Sequence, residues 1–104
     1  MKITQEYIHK RKSYERFAYN MTKRAMCGQR CVFIAQTQEN KDLMFELIQN
    51  LANHNNVKID KKDITNNKRQ IIYPVGEIII IIPQKNRTNI PTDNFVICED
   101  TFEN

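Results

Sequence analysis

The sequence predicts a small α/β domain, with a mixed sheet of about four strands and two main helices. Two long segments repeat apolar residues at helical spacing, and short apolar runs bounded by glycine and proline follow each of them. The 104 residues fit a single domain spanning residues 1–104. The predicted order is helix, strand, helix, hairpin and strand. A strand–helix–strand path favours parallel pairing, and the hairpin adds an antiparallel pair.

The two predicted helices cover residues 4–27 and 39–54. Gly28 is a suitable stop for the first helix, and Thr37 or Asn40 a suitable N-cap for the second. The first helix repeats apolar side chains at spacings of three, four or seven: Ile3, Tyr7, Tyr14, Phe17, Ala18, Met21 and Ala25. The second has a continuous apolar stripe: Leu43, Met44, Leu47, Ile48 and Leu51.

Four strands are expected, two as separate apolar runs and two as the arms of a hairpin. Residues 31–35 and 94–98 are short apolar runs, and residues 69–73 and 77–82 flank the turn formed by residues 74–76. Five consecutive isoleucines, residues 78–82, predict a central strand that is covered on both faces. Residues 53–68 are polar and predict a loop, in which Val57, Ile59 and Ile64 could form a short strand.

Basic residues are concentrated in the first third of the chain. Residues 1–31 contain eight basic and two acidic residues, although the whole chain has a formal net charge of only +4. This asymmetry predicts an anionic partner, either nucleic acid or an acidic protein surface, and a solvated helix face is the alternative. The candidate binding residues are Lys10, Arg11, Lys12, Arg16, Lys23, Arg24 and Arg30. Tyr7 and Tyr14 could stack on bases, or belong to the apolar stripe of the helix.

Neither a membrane segment nor a metal site is expected. No apolar run is long enough to span a bilayer, and the first residues do not resemble a signal peptide, so we expect a cytoplasmic protein. The cysteine count is odd, which argues against a disulfide scaffold. Cys27 and Cys31 lack the spacing of a zinc module, so buried free thiols are expected and no cofactor is predicted.

Several segments resemble the P-loop ATPases of helicases and phage terminases. Residues 28–37 resemble the second strand of those domains, with the turn that touches nucleic acid or adjoins the active site. Residues 71–78 are similar to a terminase hairpin, and residues 95–100 to a Walker B strand. Arg11, Lys12 and Ser13 resemble the end of a phosphate-binding loop at the head of a helix. This resemblance implies possible nucleotide contacts at Lys12, Ser13, Glu99 and Asp100.

The sequence departs from a working P-loop where phosphate would bind. No glycine occurs in residues 8–13, yet such a loop needs glycines so that its backbone N–H groups can close around phosphates. Glu99 and Asp100 also reverse the usual order of the two acids. The resemblance therefore implies a truncated and degenerate P-loop-like domain that does not hydrolyse ATP.

These observations predict a small non-enzymatic binding protein, acting as an adaptor or inhibitor in nucleic-acid machinery. Abundant Asn, Ile and Lys indicate an A/T-rich genome, such as that of a phage or mobile element, and an anti-defence role fits the same facts. Two alternatives stay open. One is a minimal nucleotide-binding or NTPase subunit, and the other is a structural subunit of a homo-oligomer with the isoleucine strand or an edge strand at the interface.

Overall fold

A computed structural model of the chain describes residues 5–65, 68–82 and 95–99. Its elements, in chain order, are α1 Gln5–Met26, β1 Arg30–Ile34, α2 Gln38–His54, β2 Lys61–Thr65, β3 Lys68–Ile72, β4 Glu77–Ile81 and β5 Phe95–Glu99. The α/β class and both helices are confirmed. The sheet has five strands where the sequence predicts about four, because the short strand left open around Ile64, in residues otherwise expected to be a loop, forms as β2.

The five strands form one mixed sheet in the order β2-β3-β4-β1-β5. Strand β1 runs parallel to both of its neighbours, so that Val32 pairs with Ile79 of β4 and with Ile97 of β5. Strand β3 runs antiparallel to β4 and to β2. The isoleucine strand β4 therefore lies inside the sheet, as its continuous apolar sequence predicts.

Both helices pack on the same face of the sheet. Phe33 of β1 is fully buried there, with the ring centroids of Tyr14 and Phe17 of α1 at 5.5 and 5.6 Å in edge-on geometry. Ile78 and Ile80 of β4 belong to the same cluster, together with the buried residues of α2. This cluster is the main core of the protein.

The other face of β1 and β4 forms a second apolar cluster. It contains Val32, Ile34, Ile79 and Ile81, each less than a tenth exposed. Because successive strand residues alternate between faces, these side chains cannot reach the helices. Strand β4 is thus buried on both faces, as predicted.

Hydrogen bonds fix where α1 ends and where α2 begins. Gly28 has a φ of 95°, and the N–H groups of Gly28 and Gln29 donate to the carbonyls of Ala25 and Arg24 at 3.2 and 2.9 Å. This is a Schellman arrangement, which ends α1 at the predicted glycine. Thr37 caps α2, since its Oγ1 accepts a bond from the Asn40 N–H at 3.1 Å.

The turn formed by residues 74–76 packs against the end of α1. The Tyr73 N–H donates to the Gly76 carbonyl at 2.8 Å, and the Glu77 N–H donates to the Gln29 carbonyl at 3.2 Å. Gly76 is buried, and a Cβ atom built on it would lie 2.2 Å from the carbonyl oxygen of Ala25. The predicted hairpin turn is confirmed, and it holds the carboxyl end of α1 close to the sheet.

Candidate nucleic-acid interface

Helix α1 has one apolar face and one basic face. Tyr14, Ala18, Met21 and Ala25 are buried, and their spacing of four, three and four residues forms a stripe against the core. The residues two positions before each of these buried residues lie on the opposite side of the helix and are exposed: Lys12, Arg16, Tyr19 and Lys23. These residues therefore follow one another along the solvent side of the helix, over about 16 Å.

We call Lys12, Arg16 and Lys23 the basic stripe. Tyr19 lies between its members and is 53% exposed. The Lys23 Nζ lies 5.4 Å from the centroid of the Tyr19 ring, so the aromatic face and a cation are presented together. Across the part of the chain that the structure describes, no acidic side chain forms an ion pair with these three cations.

Two surface depressions adjoin the stripe. A shallow one of about 480 Å³ is lined by Lys12, Glu15, Arg16, Tyr19 and Asn20. A groove of about 360 Å³ lies between the two helices and is lined by Arg11, Glu15, Ala18, Tyr19, Leu47, Asn50, Leu51 and His54. Tyr19 lines both depressions.

Two of the other predicted binding residues on α1 face different neighbours. Arg11 Nε lies 3.7 Å from Glu15 Oε1, one helical turn further on, so part of its charge is compensated. The Lys10 Nζ donates to Asn40 Oδ1 at 3.0 Å, which directs Lys10 towards the amino end of α2. Neither residue belongs to the outer face of α1.

The remaining two candidates lie beyond the stripe as well. The Arg24 Nη1 donates to Gln29 Oε1 at 3.1 Å, next to the loop that follows α1. The Arg30 Nε donates to Glu77 Oε1 at 2.8 Å, and the Gln70 Nε2 donates to the second oxygen of the same carboxylate at 2.9 Å. Strand alternation puts Arg30 on the sheet face opposite the helices, so it cannot share a surface with the stripe.

The structure also changes which tyrosine is available for stacking. Tyr14 is fully buried against Phe33 and therefore belongs to the core. The side chain of Tyr7 lies outside the described part of the chain. Tyr19, which is absent from the residues predicted from sequence, is instead an exposed aromatic residue between members of the basic stripe. Its spacing of seven residues from Lys12 and four from Lys23 is the signal that could have identified it.

The described residues of the suggested nucleotide site, Lys12, Ser13 and Glu99, are not brought together. Lys12 and Ser13 lie inside α1 rather than at the head of a helix, so their N–H groups are used by the helix itself. Glu99 ends β5 and pairs with Ile34, which assigns its side chain to the sheet face opposite α1. Asp100 lies outside the described residues.

The cysteines are free and lie in different environments. Cys27 is exposed after α1, whereas Cys31 is fully buried, with its Sγ 4.0 Å from the Met21 carbonyl. Burial raises the pKa of the Cys31 thiol to about 11 and also raises the pKa of Cys98. Among residues 5–65, 68–82 and 95–99, no three His, Cys, Asp or Glu side chains are grouped so that they could hold a metal ion.

Comparison with models of known protein families, with characterised proteins and with solved structures finds no match to this chain. The likeness to P-loop ATPases therefore stays a prediction from sequence. A search of the described helices for one long and apolar enough to cross a membrane finds none.

Proposed function

We propose that this chain is a non-enzymatic binding protein whose basic stripe contacts the phosphates of nucleic acid. The observation that supports this proposal is the alignment of Lys12, Arg16 and Lys23 along the exposed face of α1, with an accessible tyrosine between them. In this role the protein acts as an adaptor or inhibitor in nucleic-acid machinery. The phage or mobile-element setting inferred from its composition belongs to the same proposal.

The dimensions and chemistry of the stripe suit a polyanion. A length of about 16 Å along duplex DNA faces about ten phosphate charges, so each cation of the stripe can find a phosphate within reach. Contacts of this kind gain free energy mainly by releasing counterions, and they do not require a deep pocket. The exposed ring of Tyr19 adds a surface for stacking an unpaired base, which contributes roughly 1–3 kcal/mol per base in single-strand binders.

The first test is fluorescence anisotropy with labelled duplex and single-stranded DNA at low salt. In the double variant Lys12→Glu and Arg16→Glu, affinity for both DNAs should fall on the order of tenfold or more, because two of three phosphate contacts become repulsive. The control is Lys58→Glu and Lys61→Glu, which changes the net charge equally at exposed positions outside α1. An equal loss in the control would show that overall charge, rather than the stripe, determines binding.

A Tyr19→Ala variant separates stacking from charge. It should weaken single-strand binding roughly fivefold or more and leave duplex binding unchanged, because bases inside a duplex are already stacked. Circular dichroism should show the same helix content in all variants, since each changed side chain is exposed. If the unmodified protein binds neither DNA at low salt, the nucleic-acid proposal is wrong, and an acidic protein becomes the partner to seek.

A further inference from the structure

The amino end of α2 contains a buried lysine whose ammonium group has no hydrogen-bond partner among the described residues. Lys41 is 0% exposed, and its Nζ meets no hydrogen-bond acceptor in the part of the chain that the structure describes. Buried charges in proteins are normally paired, because a desolvated charge without a partner is costly. An orphaned lysine of this kind therefore points to a missing anion.

Lys41 lies at the first turn of α2, where helix geometry favours an anion. Thr37 caps the helix, with its Oγ1 accepting from the Asn40 N–H and its carbonyl accepting from the Lys41 N–H at 3.0 Å. The N–H groups of Gln38 and Glu39 have no acceptor within the helix. Helical side chains lean towards the amino end, so Lys41 is directed back to this turn.

Other cations flank the same turn. The Lys10 Nζ is held by the buried amide of Asn40, and Arg69 of β3 lies close enough for its charge to act on Lys41. Burial, and then the Arg69 charge, lower the pKa of Lys41, and neighbouring Asp42 opposes that change. Asp42 itself is engaged by Arg69 Nη2 at 3.2 Å. The described charged side chains around Lys41 are therefore the cations Lys10 and Arg69 and the carboxylates of Asp42 and of Glu39, the latter in the first turn itself.

We propose that the first turn of α2 binds a phosphate group, with the Lys41 ammonium as its buried contact. The N–H groups of Gln38 and Glu39 supply further donors, and Lys10 and Arg69 supply the surrounding positive charge. The location suits this role, because the turn follows the carboxyl end of β1 in the parallel part of the sheet, where ligands of α/β proteins commonly bind. This site uses none of the residues of the basic stripe and does not depend on the proposed function.

The test uses the full chain and inorganic phosphate, with ionic strength held constant by sodium chloride. Phosphate at about 100 times its Kd should stabilise the chain by about 2.7 kcal/mol and so raise the melting temperature by about 11–22 °C. Lys41→Met keeps the length of the side chain and removes the charge, so it should abolish this rise. The matched control Lys61→Met, at an exposed lysine of β2, should keep the rise in full. Stabilisation no greater than that given by chloride, or equal in Lys41→Met and the unmodified protein, would overturn the proposal.

Amide chemical shifts keep the proposal testable if Lys41→Met does not fold. In the unmodified protein, phosphate should move the amide resonances of residues 38–41 more than any others, and a largest effect elsewhere would overturn the site. The phosphate group could belong to a small molecule or to a nucleic-acid backbone. Two probes distinguish these sources: a nucleoside monophosphate represents the small molecule, and an oligonucleotide without a terminal phosphate represents the backbone. The probe that matches the true source should compete with inorganic phosphate for residues 38–41.

Discussion

Replacing Gly76 by alanine should destabilise this protein more than the same replacement at Gly28, the other glycine of the chain. A Cβ atom at Gly76 would lie 2.2 Å from the carbonyl oxygen of Ala25 and 2.4 Å from that of Gln29, and both distances are too short for any real contact. Both obstacles are backbone atoms, so relief requires the hairpin turn to move away from the end of α1. We expect a loss of about 3 kcal/mol in the free energy of unfolding, near the upper end for overpacking.

The measurement is urea denaturation followed by circular dichroism, with the free energy obtained by linear extrapolation. The melting temperature should fall by about 12–24 °C for a domain of this size. Gly28→Ala is the matched control. Its Cβ would have ordinary room, 3.7 Å from the Val75 carbonyl, so its cost is the positive φ alone, about 1–2 kcal/mol. If Gly76→Ala is less destabilising than Gly28→Ala, the close packing of the turn against α1 is wrong.

Two further predictions concern buried polar groups of the main core. Burial raises the pKa of Tyr73 to about 12, and the nearby Thr22 hydroxyl reduces that rise. The hydroxyl groups of Tyr73 and Thr22 nevertheless do not form a hydrogen bond with each other. Tyr73→Phe should therefore leave the urea midpoint unchanged or raise it slightly, and a loss above about 1 kcal/mol would reveal a hydrogen bond that matters. The Cys31 pKa is raised from 9.0 to about 11, so between these pH values only the unfolded state loses the proton and stability should fall as pH rises. Cys31→Ala should make that decline smaller, and an identical decline in the variant would contradict the assignment to Cys31.

The elements that sequence predicts well are those whose signals are local. The apolar stripe of α2, the glycine after α1 and the threonine before α2 each act through residues within one or two helical turns. Strand β4 could be placed inside the sheet because only a strand covered on both faces tolerates consecutive isoleucines. These features need no knowledge of distant parts of the chain.

The sequence indicates strand β2 less clearly, only as an alternative to a loop around Ile64. Its sequence contains two lysines and an aspartate, and Ile64 is 63% exposed. In the described sheet β2 is an end strand paired only with β3, and such strands carry charged residues that discourage pairing with other chains. An edge strand therefore lacks the apolar pattern by which strands are recognised.

The positions of the seven candidate cations relative to one another could be predicted only in part, because their polar partners are distant in sequence. Arg30 and Glu77 are separated by 47 positions, and Lys10 and Asn40 by 30. No local pattern reveals these pairs, so a sequence count of seven cations overestimates the shared basic surface. Lys41 was missed for a different reason. A lysine in the first turn of a helix is expected to be exposed to solvent, yet Lys41 is fully buried.

The most direct test of the basic stripe is the salt dependence of duplex DNA binding by the unmodified protein. Each phosphate contact contributes a slope of about −0.9 to the logarithm of the binding constant against the logarithm of salt concentration. Three contacts at Lys12, Arg16 and Lys23 predict a slope of about −2.7. A slope of about −6 would mean that all seven predicted cations bind DNA and would contradict the restriction to one face of α1. An absence of binding at low salt would contradict the proposed function itself.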